Sequence, residues 1–292
     1  MSQQNEISNS LKKIVDLVND SEISSIKNVV SGILKIINDP KSTAKDLKEL
    51  IEIDPPLTAH VLKVANSAYY CPPSRIGEIL KAVLWIGFEA IKELALNQKV
   101  CSVFSDDKST NGYSRLSLWK HSVAVAVMGK MIYRREFGEK GENIYAAGLL
   151  HDIGLIVVDQ FRHQQFIDIL EKSAEEETEF TETEQLVFGF DHAELGREVM
   201  SGWDMPEELC YAIGQHHSPD PVSRFRRMTC TLYLADTMCQ ERKIGHSDSR
   251  TFDKGLFIRC MREAGVERRG LDLIIDDVEE QIRKMERQGL FG

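Results

Sequence analysis

The sequence predicts an all-α chain built as two helical lobes with a C-terminal helical extension. Three observations point there. Apolar residues recur three or four apart in one segment after another, runs in the alternating strand period are scarce, and one stretch of turn formers divides the helical pattern. At 292 residues the chain suits one large domain or two lobes sharing a core. Hydrophobic residues at 42% and charged residues at 28% are ordinary for a globular protein and argue against wholesale disorder.

Residues 1–19 form an N-terminal segment, and residues 20–104 form the first lobe. Between 24 and 38, Ile26, Val29, Val30, Ile33, Leu34 and Ile37 line one face of a helix, which Asp39-Pro40 stops. Thr43 with Asp46 three residues later reads as a capping box for a helix through Leu47, Leu50 and Ile51. Asp54-Pro55-Pro56 is a helix junction, and Pro56 can open the next helix. That helix carries Leu57, Val61, Leu62, Val64 and Ala65 to Asn66-Ser67, side chains that bond local backbone and end helices. Another apolar stretch covers 79–96. Residues 105–114 lack apolar periodicity and gather turn formers, which makes them the linker.

The second lobe, 115–240, reads as helices over 118–131, 144–158, 166–170, 192–200, 207–217 and 225–239. The glutamate-rich run 172–184 reads as a solvated loop or helix edge. Residues 241–292 form a charged extension, helical over 271–286, in which no site chemistry is recognisable.

A net charge of −10 disfavours nonspecific binding to nucleic acid, which needs a basic face to neutralise phosphates. The six cysteines, at 71, 101, 210, 230, 239 and 260, form no CxxC pair and read as reduced thiols in a cytoplasm. The first twenty residues lack the apolar run of a signal peptide, and no later stretch is read as reaching the ~20 apolar residues of a membrane helix. The expectation is a soluble cytoplasmic protein with neither nucleic acid nor membrane as partner.

Chemistry is concentrated where His151 and Asp152 interrupt the apolar run from Ala146 to Val158. A buried, unpaired carboxylate costs several kcal/mol or more, so Asp152 needs a cation, a hydrogen-bond cluster or a cavity. Neighbouring helical residues point about 100° apart, so both can ligate only at a concave site fed by several elements. His121, His192, His216, His217 and Asp236 are the other groups available to it. Imidazole and carboxylate without thiolate suit Fe, Mn, Zn, Ni or Co, and seven ligands exceed what one tetrahedral zinc uses, which favours two adjacent metals. Blander roles stay open: His121 as a core-edge histidine on a backbone carbonyl, His151-Asp152 as a polar pair within a helix that holds no ion, His192 as a helix cap, and Asp236 as a partner of Arg226 or Arg227. His60, His163 and His246 read as surface or core residues, and Trp85, Trp119 and Trp203 as packing.

Residues 20 to 240 resemble an HDOD domain, a signalling-output branch of the HD phosphohydrolase superfamily related to the HD-GYP phosphodiesterases. In the first lobe the resemblance rests on Ile53-Asp54-Pro55-Pro56-Leu57-Thr58 and Lys63-Val64-Ala65-Asn66-Ser67-Ala68. In the second it rests on Leu118-Trp119-Lys120-His121-Ser122, Gly148-Leu149-Leu150-His151-Asp152-Ile153-Gly154, Asp191-His192-Ala193-Glu194-Leu195-Gly196, Trp203-Asp204-Met205-Pro206 and His216-His217.

The resemblance implies that His121, His151, Asp152 and Asp236 hold one divalent transition metal (Fe, Mn, Ni or Zn), with Asp152 also the catalytic carboxylate. It implies a second ion at His192, His216 and His217. The function implied is signalling output with metal-dependent phosphohydrolase activity, acting with a signalling protein or on a nucleotide or phosphoester ligand. The alternative is a noncatalytic regulatory module that binds a partner or nucleotide and keeps the metal for stability. Two departures argue against cyclic di-GMP hydrolysis: Leu155 stands where HD-GYP enzymes carry Lys, and Ser218-Pro219-Asp220 follows His216-His217 without a GYP sequence. Ser117 and Leu118 before His121 offer no carboxylate for a third ion.

Overall fold

The computed structural model describes residues 2–104, 113–176, 178–220, 222–246 and 252–287. Helices account for the regular structure: α1 (Ser2–Asn19), α2 (Lys27–Asn38), α3 (Ala44–Glu52), α4 (Pro55–Ala65), α5 (Ile79–Ile86), α6 (Phe88–Cys101), α7 (Arg115–Glu136) and α8 (Glu142–Leu150). They continue as α9 (Ile153–Phe161), α10 (His163–Glu176), α11 (Phe180–Phe188), α12 (His192–Gly202), α13 (Glu207–Gly214), α14 (Arg226–Glu241), α15 (Lys254–Ala264) and α16 (Arg268–Arg287). No β-strand occurs among the described residues, so the fold is all-α. Residues 105–112, most of the segment read as a linker, lie outside the described residues.

The chain divides into two compact units, the smaller being Ser21–Val103. Within it α2 buries Val29, Val30, Ile33, Leu34 and Ile36 against α3 and α6. Thr43 and Asp46 make the reciprocal capping box that their spacing predicts, with Asp46 Oδ2 accepting the Thr43 N–H at 2.7 Å. Asp54 caps α4, accepting the Leu57 N–H at 2.9 Å with one oxygen and pairing Lys99 at 2.7 Å with the other. The Asn66 amide accepts the Ile76 N–H and donates to the Ile76 carbonyl, both at 2.8 Å, so its role is to tie the end of α4 to the following chain. Trp85 departs from its packing role: it is 47% exposed and donates Nε1–H to the Tyr70 carbonyl at 3.0 Å.

The larger unit comprises Met1–Asp20 and Phe104–Gly292. Helix α7 packs along α8 and α14, while α15 and α16 close on α14 and α7. Helix α14 is buried without interruption from Met228 through Cys239, including the polar Thr229, Thr231, Asp236 and Thr237, as an interior helix. Helix α1 belongs here too, against α9 and α12. All six cysteines are free thiols.

Three expectations are corrected. The run 144–158 is two helices, because the backbone breaks at Asp152 (φ −98°, ψ 17°). Helix α13 ends at Gly214, leaving His216 and His217 in the turn beyond it. The stretch Glu142–Phe161 does reach the length and hydropathy of a membrane-crossing helix, and 89% of its most apolar window is buried inside the protein, which accounts for that hydropathy.

Candidate metal centre

Five segments bring the seven candidate residues together. The first anchor is the break after α8. His151 donates Nδ1–H to the Gly148 carbonyl at 2.8 Å, satisfying an orphan carbonyl at the helix end and leaving Nε2 aimed at Asp152 Oδ2, 3.0 Å away. His216 repeats the device at the end of α13, with Nδ1–H donated to the Ile213 carbonyl at 2.6 Å and Nε2 3.6 Å from Asp152 Oδ1. Helix α8 ends at Leu150 and α9 begins at Ile153, so His151 and Asp152 both project from the turn between the two helices.

Glycine places the third group. A Cβ on Gly154 would lie 2.0 Å from the His192 carbonyl oxygen, so the absence of a side chain there lets α9 meet the start of α12. Asp191 and Glu194 form the capping box of α12, which makes Asp191 the cap and frees His192 from that role. His192 Nε2 then lies 3.5 Å from Asp152 Oδ1 and 2.8 Å from His217 Nε2.

His121, in the second turn of α7, has Nδ1 on the Ile244 carbonyl at 3.3 Å and Nε2 on Asp236 Oδ1 at 3.0 Å. Both arginines weighed as partners of Asp236 are engaged elsewhere, Arg226 with Glu263 and Arg227 with Glu139. Gly245, at φ +80°, would carry a Cβ 2.5 Å from the His121 backbone nitrogen, so a glycine is needed where the chain after α14 turns back onto α7.

The site is enclosed. His121, His151, Asp152, His192, His216 and Asp236 are all buried, and His217 is half-buried. Burial pushes the Asp152 carboxyl up, but the imidazoles of His151, His192 and His216 outweigh it and hold Asp152 well below its ordinary range. Burial lowers His151 and His192, and the carboxylates of Asp152 and Glu184 raise them by more. His216 moves the other way, since burial dominates there and lowers it.

Two residues escaped the sequence reading. Glu184 lies in the run taken for a solvated edge, yet it is fully buried and accepts His192 Nδ1–H at 2.6 Å and the His192 backbone N–H at 3.1 Å. Its position in a glutamate-rich stretch hid it; the available signal was Phe180, Thr183 and Glu184 sharing one helical face. Ile244 supplies a carbonyl to His121 from the extension in which no site chemistry was recognised, and a backbone group leaves no mark on residue type. His246 takes the core role, buried edge-on against Tyr113.

The donor set fits a metal. His192, His216 and His217 form one group and His121, His151 and Asp152 another, with the ligand atoms of each within 4.8 Å of one another. His216 Nε2 is buried with no hydrogen-bond partner among the described residues, as suits a nitrogen awaiting a cation. His163 lies apart, 49% exposed on Asp159.

The fold recurs in solved structures. An HDOD domain protein of unknown function from Geobacter sulfurreducens is 27% identical, with a TM-score of 0.73 over 88% of this chain and 90% of its own. A candidate phosphohydrolase from Shewanella amazonensis SB2B is 22% identical, with a TM-score of 0.67 over 97% and 96%. An uncharacterized protein of Treponema pallidum (strain Nichols) is 24% identical over 228 residues, which is 76% of this chain and 43% of that protein, so the chain spans less than half of that relative. The family model of the HDOD domain matches residues 23–219, a span that holds both histidine groups and ends before Asp236. The chain therefore belongs to the HDOD domain family.

Proposed function

We propose that this protein is an HDOD signalling-output protein that holds two divalent transition metals, drawn from Fe, Mn, Ni and Zn, and acts as a metal-dependent phosphohydrolase. One observation carries the reading: four buried imidazoles are each tied through Nδ1 and present Nε2 toward a carboxylate, His121 toward Asp236 and His151, His192 and His216 toward Asp152. Fixing Nδ1 in this way selects the tautomer whose Nε2 lone pair binds a cation. His121, His151, Asp152 and Asp236 would hold one ion, and His192, His216 and His217 the other. When bound, two such ions supply an activated water near neutral pH and stabilise the attacking and leaving oxygens of a phosphoester.

The chain's own residues do the rest. Asp152 touches both groups, so it sets their spacing and balances the imidazole charge. The half-buried edge at His217 is the side on which a phosphoester can approach. Enclosure of the remaining six residues favours a second reading, a noncatalytic regulatory module in which the ions stabilise the fold while a partner or nucleotide binds elsewhere. Elemental analysis of protein purified without chelator, followed by a phosphodiester and phosphomonoester screen of the Mn- and Fe-loaded forms, separates the readings. One or two metals per chain with turnover supports the first; metal without turnover supports the second; and less than a tenth of an equivalent after reconstitution removes both.

A further inference from the structure

The histidines of the centre are not oriented alike. Nδ1 of His121, His151 and His216 each meets a neutral backbone carbonyl, of Ile244, Gly148 and Ile213. Nδ1 of His192 instead meets a carboxylate, Glu184 Oε2, at 2.6 Å, and the same oxygen accepts the His192 backbone N–H at 3.1 Å. Glu184 is on α11 and fully buried, and its second oxygen has no hydrogen-bond partner among the described residues. A carboxylate kept in the interior with one oxygen unpaired is expensive, several kcal/mol after relaxation. Merely filling the space or accepting the backbone N–H would not require the charge.

An anionic acceptor on Nδ1 does two things that a carbonyl does less well. It locks the ring through a charge-assisted bond, and it pushes electron density toward Nε2, making that nitrogen a stronger donor to a cation. His192 belongs to the group with His216 and His217, which holds no carboxylate, whereas the other group includes Asp152. A buried anion one bond behind His192 adds negative charge to a group that otherwise has only the shared Asp152 carboxylate, 3.5 Å from His192 Nε2 and 3.6 Å from His216 Nε2.

We propose that Glu184 is the positioning residue of His192 and makes the two metal positions unequal, strengthening the one built from His192, His216 and His217 and leaving the other unaffected. This inference rests on the dinuclear reading above. Glu184→Gln keeps the volume and an acceptor for the two N–H groups and removes only the charge.

The test is a titration of the full chain with Mn2+, with free ion followed by its EPR signal, for wild type, Glu184→Gln and His217→Ala. Melting temperatures in EDTA are measured alongside. The expected result is two binding steps in wild type. In Glu184→Gln the step that His217→Ala abolishes weakens by about 10–100-fold, while the other stays within about threefold. Two wild-type steps with neither changed in Glu184→Gln would overturn this inference and leave the dinuclear reading standing; both steps falling together would overturn it as well. No Mn2+ bound by wild type would overturn the dinuclear reading and the inference with it. A second measurement needs no variant: in Zn2+-loaded wild type the His192 Nδ1 proton should resonate downfield of those of His151 and His216, as a bond to a carboxylate requires. Equal shifts for the three protons count against Glu184 as an anionic partner.

Discussion

His192 Nε2 and His217 Nε2 face each other across 2.8 Å. With His192 Nδ1–H donated to Glu184, its Nε2 presents a lone pair, and a second ring nitrogen so close needs a shared proton or cation between them. The two rings therefore report on occupancy of their half of the centre.

Asp152 reaches both halves, at 3.0 Å from His151 Nε2, 3.5 Å from His192 Nε2 and 3.6 Å from His216 Nε2. Asp152→Ala is expected to lose both metals and to melt lower, whereas His217→Ala loses one and His163→Ala none. An ion that binds only the folded state at a hundredfold excess over Kd stabilises it by about 2.7 kcal/mol, so metal loss and melting shift should move together. The check is paired metal analysis and melting with and without EDTA; full metal content in Asp152→Ala would sink the prediction.

Gly154→Ala drives a Cβ to 2.0 Å from the His192 carbonyl oxygen, and backbone cannot swing aside as a side-chain tip can. The helices α9 and α12 must part, at an expected cost of about 1–3 kcal/mol or more, and metal content should fall with stability. Gly77→Ala, where nothing lies within 4 Å of the added carbon, is the matched control and should stay within about 0.5 kcal/mol of wild type. Urea denaturation of the three proteins decides it; equal midpoints would contradict the packing argument.

His246 gives the expected pH signature. Burial pushes its imidazole down to about 4, from an ordinary 6.5. The unfolded chain then binds the proton more readily between those values, so this contribution to stability is complete above about pH 6.5 and is lost as pH falls toward 4. The full swing is on the order of 3 kcal/mol. In EDTA, the wild-type stability should fall across this window more steeply than that of His246→Phe. Parallel curves for the two would show that the imidazole is not buried as described.

Cyclic di-GMP should not be turned over at an ordinary enzymatic rate by Mn- or Fe-loaded protein. Leu155 is buried at 2% exposure and offers no charge to a phosphate, where the resembling phosphodiesterases place Lys. Turnover on the order of 1 per second or faster would show that this lysine is dispensable.

Much of this architecture was written locally. The period of Val29, Val30, Ile33 and Leu34, the Thr43–Asp46 box and the Asp54-Pro55 junction are near-neighbour physics, and the helices follow directly. The seven candidate residues were legible as polar groups set in apolar or motif-bearing surroundings, because burying such groups without a partner is costly. Tertiary structure decided the rest. Breaking the helix at Asp152, ending α13 before His216 and bringing α12 onto Gly154 turn scattered side chains into two groups of ligand atoms. The orienting partners were invisible beforehand for a physical reason. The Ile244, Gly148 and Ile213 carbonyls belong to the backbone that every residue shares, and Glu184 looked like any solvated glutamate until α11 packed it against His192.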